Sequence, residues 1–186
     1  MAIARRQMTL EEFLKLPEAE PALEYVDGVV TQKMSPKYRH GLLQGELVTL
    51  INLFAVPRRL ARATPETRTT FASASVVPDV VVFTWDRIPA DEHGEAADDV
   101  DIPPDIAIEI ASPGQSMRGL ADRCRWYVRN GVRVALLVDP GRRAVRAFRA
   151  DGETGPLHGA RRVELGDVIP GFSLGVDELF EALRAR

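Results

Sequence analysis

Apolar positions recur along the chain with two periods, one near 3.6 residues and one of two. The first appears in TLEEFLKL, residues 9–16, where Phe13 and Leu16 form an apolar face. Thr9 is placed as an N-cap with Glu12 three residues later, so a short helix is predicted. LEYVDGVVTQKM reads as a β-hairpin, two strand-like runs about Asp27-Gly28, the dipeptide that tight hairpin turns prefer. After the loop SPKYRH, the spacing of Leu42, Leu43, Leu47, Leu50, Ile51 and Phe54 predicts a helix over about residues 38–55, with Pro57 just beyond it. Residues 66–72 predict an exposed strand, and SVVPDVVVF, 75–83, a single buried strand. Residues 86–103 are acidic and flanked by proline, as in a loop. IAIEIAS, 106–112, alternates so that Ile106, Ile108 and Ile110 share one face and Glu109 lies on the other. A helix at about 116–130 ends at Asn130-Gly131. VRVALLVDP (132–140) predicts a second buried strand, RAVRAFRA (143–150) a half-exposed partner, and a short helix closes the chain.

This order predicts an α/β or α+β fold with a central mixed β-sheet flanked by helices. A length of 186 residues fits one domain over 1–186. Within it, the N-terminal helix and hairpin occupy about 9–34 and the core about 38–181.

The chain is 45% hydrophobic and 27% charged, which excludes a disordered chain and supplies a real core. No run approaches the roughly 18 continuous apolar residues of a membrane span. MAIARRQMTLEEF lacks the apolar run of a secretory signal. The single cysteine, Cys124, leaves no internal disulfide and no cysteine-based zinc site, and a cytoplasmic location is expected. The net charge of -3 excludes a binder of nucleic acid by bulk charge. Charge is unevenly spread: residues 91–109 hold eight acids and no Lys or Arg, whereas 116–149 hold nine arginines against two aspartates. Of 24 basic residues only Lys15, Lys33 and Lys37 are lysines. Genomic base composition accounts for such an excess, but guanidinium forks also match phosphate oxygens. Arg142, Arg143, Arg146 and Arg149, with Arg118, Arg125 and Arg129, are the expected cationic surface for DNA.

Asp79 sits within a run of valines and Glu109 interrupts an aliphatic strand. A buried carboxylate is costly without compensation. A surface aspartate at a strand end would look the same, but if the two strands are neighbours the acids can converge on one hard cation. Mg²⁺ is commonly held by one or two carboxylates with waters and phosphate oxygens. In the helix after Glu109, Leu120, Cys124, Tyr127 and Val128 form the core stripe, while Arg118, Asp122, Arg125 and Arg129 lie opposite. Arg123 falls beside the core stripe, placed either to reach the Glu109 strand or to snorkel. Glu24 before the hairpin turn and His40 at a helix start form a further candidate pair. His93 and His158 read as surface, Asp105 as structural, and Cys124 as a core residue rather than a nucleophile. No P-loop, Gly-x-Gly-x-x-Gly, His-Glu-x-x-His or Gly-x-Ser-x-Gly motif is present.

LEYVDGVV, MSPKYRH, PDVVVF, PPDIAIEIASP, YVRNGVR, ALLVDP and VIPGFSL follow one another in the order found in the Uma-two family. The chain resembles that bacterial restriction-endonuclease-like branch of the PD-(D/E)XK nuclease superfamily over about residues 8–181. The resemblance implies a restriction-endonuclease-like core, a divalent metal and hydrolysis of DNA phosphodiester bonds. It matches Asp79 to the PD aspartate, Glu109 to the second acid, and Glu24 and His40 to the family's N-terminal acid and histidine. Where the superfamily lysine would fall stands Ala111, and the family's alternative helical position is Arg123. The implied mechanism has Asp79, Glu109 and the backbone carbonyl of Ile110 holding Mg²⁺ or Mn²⁺. Glu24 and His40 lie near the metal or phosphate, and Arg123 stabilises the transition state. The rival expectation is a nuclease-fold protein that binds nucleic acid or a protein partner without cutting, favoured by the net charge and the arginine. A homo-oligomer is left open.

Overall fold

The structure, a computed structural model, describes residues 8–185. The N-terminal stretch read above for a signal lies mostly outside the described residues. Helix α1 (Leu10–Leu14) opens with Thr9 and Glu12 capping each other's backbone. Strands β1 (Leu23–Val26) and β2 (Val29–Gln32) pair antiparallel with Val26 opposite Val29. The turn between them puts Asp27 at φ 50° and Gly28 at φ 80°, the backbone that an Asp-Gly hairpin turn adopts. Helix α2 (Tyr38–Ala55) follows, then β3 (Ala61–Pro65), β4 (Thr69–Phe71), β5 (Ala74–Val76) and β6 (Val80–Thr84). Next come β7 (Ile106–Ile110), α3 (Met117–Arg129), β8 (Val134–Asp139) and β9 (Ala144–Arg149). Short strands β10 (Gly152–Glu153), β11 (Leu157–His158), β12 (Arg162–Glu164) and β13 (Ser173–Gly175) lead into α4 (Val176–Glu181).

The central sheet runs β10-β9-β8-β7-β6-β3, with β11 also on β9. It is mixed: β7 and β8 are parallel, joined through α3, and the other pairs are antiparallel. A four-stranded sheet, β2-β1-β5-β4, stands beside it. One core lies under α2 and α4 and contains Ile106, Ile108 and Ile110. The other lies under α3 and contains Ala107, Leu120, Cys124 and Tyr127. The alternation read from IAIEI thus sorts β7 between two layers, and Glu109 faces α3.

SVVPDVVVF is two strands rather than one. Val77, Pro78 and Asp79 carry the chain from β5 in the small sheet to β6 in the central sheet. Pro78 has no N–H for a ladder, so the valine run breaks there. The strand expected at 66–72 is shorter and not exposed: Thr69 and Phe71 are buried, and Phe71 packs on Trp126 of α3 at 5.4 Å. The acidic segment 86–103 is largely loop. Its far end is tied down by Val100, which packs on Val81 and Phe83 and accepts a hydrogen bond from Thr70 N–H. Asp105 is fully buried, paired with Arg87 at 2.6 Å and with the backbone N–H and hydroxyl of Thr84. His93 and His158 are exposed.

The seven arginines expected to form one surface divide between two sides of the sheet. Arg146 and Arg149 are three residues apart on β9, so strand alternation turns them to opposite faces. Arg146 joins Arg125 on Glu153, whereas Arg149 pairs with Asp167 and Arg143 lies over Phe180 of α4. Arg142 pairs with Asp139.

Candidate functional site

Register brings the two central acids together. Val80 pairs with Ile108, so one further step sets Asp79 across from Glu109 on the same face. Asp79 is then fixed from three directions. Its Oδ2 accepts the Ile110 N–H at 2.7 Å, its Oδ1 accepts Lys33 Nζ at 2.7 Å, and its carbonyl accepts the Gln44 amide at 2.8 Å. Lys33 also donates to Val77 O at 2.8 Å, so its ammonium is held by two oxygens. His40, in the first turn of α2, is buried. Its Nδ1 lies 3.2 Å from Ser112 Oγ. Its Nε2 lies 3.4 Å from Asp79 Oδ1, short of hydrogen-bond geometry.

Arg123 reaches inward from α3. Its Nε donates to Glu109 Oε1 and to Tyr127 Oη, both at 2.7 Å, and its terminal nitrogens grip both oxygens of Glu24. Tyr127 Oη donates to the same Glu109 oxygen at 2.6 Å. Glu24 Oε1 additionally accepts the Val77 N–H at 2.7 Å. Among the described residues every hydrogen bond to the Glu109 carboxylate falls on Oε1. Glu24, Lys33, His40, Asp79, Glu109 and Arg123 all line one cavity of about 140 Å³, together with Ile110 and Ser112. It lies at the carboxyl end of β7, where the hairpin of the small sheet meets the central sheet.

Burial alone would raise the Asp79 carboxyl, but the His40 ring and the Lys33 ammonium outweigh it and hold it below its ordinary value. Burial raises the Glu109 carboxyl. Arg123 offsets only part of that while Asp79 adds to it, so Glu109 stays above its ordinary value. Burial disfavours charge on Lys33, yet Asp79 and Glu109 together keep its ammonium above the ordinary lysine value. Burial against Glu109 pushes Tyr127 far up, so it remains a neutral donor. Burial likewise raises the Cys124 thiol, which leaves it inert as a nucleophile.

Because folded Glu109 keeps its proton to higher pH than the unfolded chain does, the folded state binds more protons above pH 4.5. The contribution of Glu109 to stability therefore falls as pH rises from there toward the raised value. With EDTA present, Glu109→Gln is expected to lose less stability than wild type between pH 4.5 and neutrality, in urea midpoints taken across that range. Parallel curves for the two proteins would contradict this.

The family model described as Uma2, putative restriction endonuclease, matches residues 10–177. The chain belongs to the Uma2 family. A crystal structure of a putative nuclease from Anabaena variabilis superposes with a TM-score of 0.90 at 39% sequence identity. The match covers 95% of this chain and 99% of that one. No curated protein matches the chain. The Uma2 fold is thus the mixed, helix-flanked sheet expected from the pattern of elements.

All five side chains singled out in the sequence line the same cavity of this Uma2 chain, as does Ile110. Their partners were missed. Lys33 falls at the polar end of the hairpin pattern LEYVDGVVTQKM, which assigns it no role. One signal was available: it is one of three lysines in a chain that otherwise uses arginine. Tyr127 was legible only as core, because helical periodicity places a ring but not its hydroxyl. Gln44 and Ser112 carried no signal. Among the described residues of the Uma2 chain, no group of three or more His, Cys, Asp or Glu side chains is arranged to hold a metal ion. The acids of the cavity are ion-paired: Arg123 holds both Glu24 oxygens and one of Glu109, and Lys33 holds Asp79.

Proposed function

We propose that the chain is a Mg²⁺- or Mn²⁺-dependent endonuclease that hydrolyses DNA phosphodiester bonds at the Asp79–Glu109 cavity. The observation that carries this reading is the Lys33 ammonium seated between Asp79 Oδ1 and Val77 O, a cation already lodged among hard oxygen donors. The donor set fits a hard divalent ion. Asp79, the Glu109 oxygen free of hydrogen bonds and the Ile110 carbonyl would hold it, with waters and phosphate completing the shell. When bound, such an ion polarises a phosphoryl oxygen and lowers the pKa of a bound water.

This chain's own residues do the rest. The Ile110 N–H orients Asp79, and Tyr127 and Arg123 orient Glu109. Lys33, on yielding its place, remains a mobile cation beside the phosphate position. That role was expected of Arg123, but Arg123 is clamped between two carboxylates. Glu24 anchors Arg123: its two oxygens hold the fork of a guanidinium that is itself fixed on Glu109, whereas the cation on Asp79 Oδ1 is the flexible ammonium of Lys33. His40 is anchored by Ser112 through Nδ1 and turns Nε2 toward Asp79.

Thermal melts with millimolar Mn²⁺ are expected to exceed those in EDTA, because an ion bound only by the folded state stabilises it. Lys33→Met is expected to enlarge the shift by removing the competing cation, and wild type is expected to nick plasmid only with the ion present. The ion pairing of both acids also favours a second reading, a nuclease-fold protein that binds without cutting. A Mn²⁺-dependent melt shift without nicking would select it, and no shift at all would reject the metal site.

A further inference from the structure

A second cavity, of about 540 Å³, adjoins the acid-lined one of about 140 Å³, and His40 and Ser112 form their common wall. The smaller cavity has room for an ion, waters and phosphate oxygens. The larger has room for a ring. Its floor is apolar, from Pro113, Met117 and Pro140. Tyr38 also lines it while 82% exposed, an aromatic ring that the fold leaves in water. On either side of Tyr38 stand Lys37 and Arg39. Among the described residues Lys37 makes no ion pair, and Arg39 makes none and only one long hydrogen bond, to Pro140 O at 3.5 Å. The one carboxylate on the wall, Asp139, is neutralised: it accepts the N–H groups of Gly141 and Arg142 and the Arg142 guanidinium. The cavity therefore offers apolar and aromatic surface flanked by two unpaired cations, next to the proposed site of phosphate chemistry.

A flat apolar ring carrying anionic groups on either side matches that surface, and a nucleotide unit in a DNA strand is such a ligand. In a duplex its faces are covered by stacking and its edge by pairing, so it could enter only unpaired. We propose that this cavity holds an unpaired nucleobase beside the scissile phosphate, stacked on Tyr38, and that the substrate is accordingly single-stranded DNA or a locally unpaired strand. This rests on the endonuclease reading for the phosphate position.

The test measures binding in EDTA, so that nothing is cut, by fluorescence anisotropy. The probes are a labelled twelve-nucleotide oligothymidine, an abasic strand of equal length, and a twelve-base-pair duplex. Oligothymidine is expected to bind more tightly than either of the others. Stacking of one base on an aromatic ring predicts that Tyr38→Ala weakens oligothymidine by about fivefold or more and the abasic strand hardly at all. Tyr38→Phe, which keeps the ring, is expected to bind as wild type does. The ring is exposed, so both variants should melt as wild type does. Equal affinity for oligothymidine and the abasic strand, or no effect of Tyr38→Ala, overturns the base site. Preferred binding of the duplex, weakened by Tyr38→Ala, assigns the ring to a duplex surface and overturns the single-strand proposal. Tyr38-dependent binding of oligothymidine without metal-dependent cleavage upholds the base site while the endonuclease reading falls. Cleavage without Tyr38-dependent binding does the reverse.

Discussion

Arg123→Met is expected to destabilise the protein by about 3–5 kcal/mol, read as the shift in urea midpoint multiplied by the m-value. The side chain compensates two carboxylates that are each 5% exposed, Glu24 and Glu109, and it bonds Tyr127 as well. Methionine fills much of the volume but removes the cation paired with both buried acids and leaves them only the more distant Lys33, and breaking a buried pair by removing one partner is costly. Arg123→Lys should lose less, since it keeps the charge, but one ammonium cannot reproduce a fork on Glu24 together with the Nε bond to Glu109. Adding Glu24→Gln and Glu109→Gln to Arg123→Met should recover part of the loss. A cost below about 1 kcal/mol for Arg123→Met would show that the two acids do not depend on it.

Asp79→Asn is expected to reduce metal-dependent plasmid nicking by at least about a thousandfold. A ligated ion contributes several kcal/mol of transition-state charge stabilisation, and each 1.36 kcal/mol is tenfold in rate. Asparagine keeps the size of the side chain and an oxygen that can accept the Ile110 N–H, so the strand entry is preserved. It loses the negative charge that pairs with Lys33 and that the proposed ion would need. Rates must be compared at equal folded fraction, because Lys33 then has only Val77 O and more distant acids. Nicking within tenfold of wild type would remove Asp79 from the chemistry.

The acids were legible because each violates a pattern. Glu109 breaks a strict alternation of isoleucine and alanine, and Asp79 breaks a run of valine. Arg123 was partly legible because a helical wheel has a definite angle: it set the side chain beside the core stripe, to reach the Glu109 strand or to snorkel, and the structure has it on Glu109 at 2.7 Å. What the wheel could not supply was its occupation. A side chain's direction follows from its own helix, whereas its partners come from other elements, and Glu24 lies 99 residues away in the chain. The same limit hid Lys33, which meets Asp79 only because the small sheet stands against the end of β7. The valine run was misread as one strand because burial on both faces looks alike in either sheet. Only Pro78 marked the place where the chain changes sheets.

The Arg123–Glu24 link also has a bearing on how the protein is made. Synthesis delivers Glu24, Lys33, His40, Asp79 and Glu109 before Arg123. Until α3 has been made, Glu24 and Glu109 lack the arginine that accompanies them out of water in the folded chain, so burying them costs more. A chain truncated ahead of α3 is therefore expected to leave these acids in water and the cavity unassembled. Completion of the cavity waits on the last of these residues to be translated, and a fragment ending before α3 lacks the side of the wall that Leu120 and Arg123 supply.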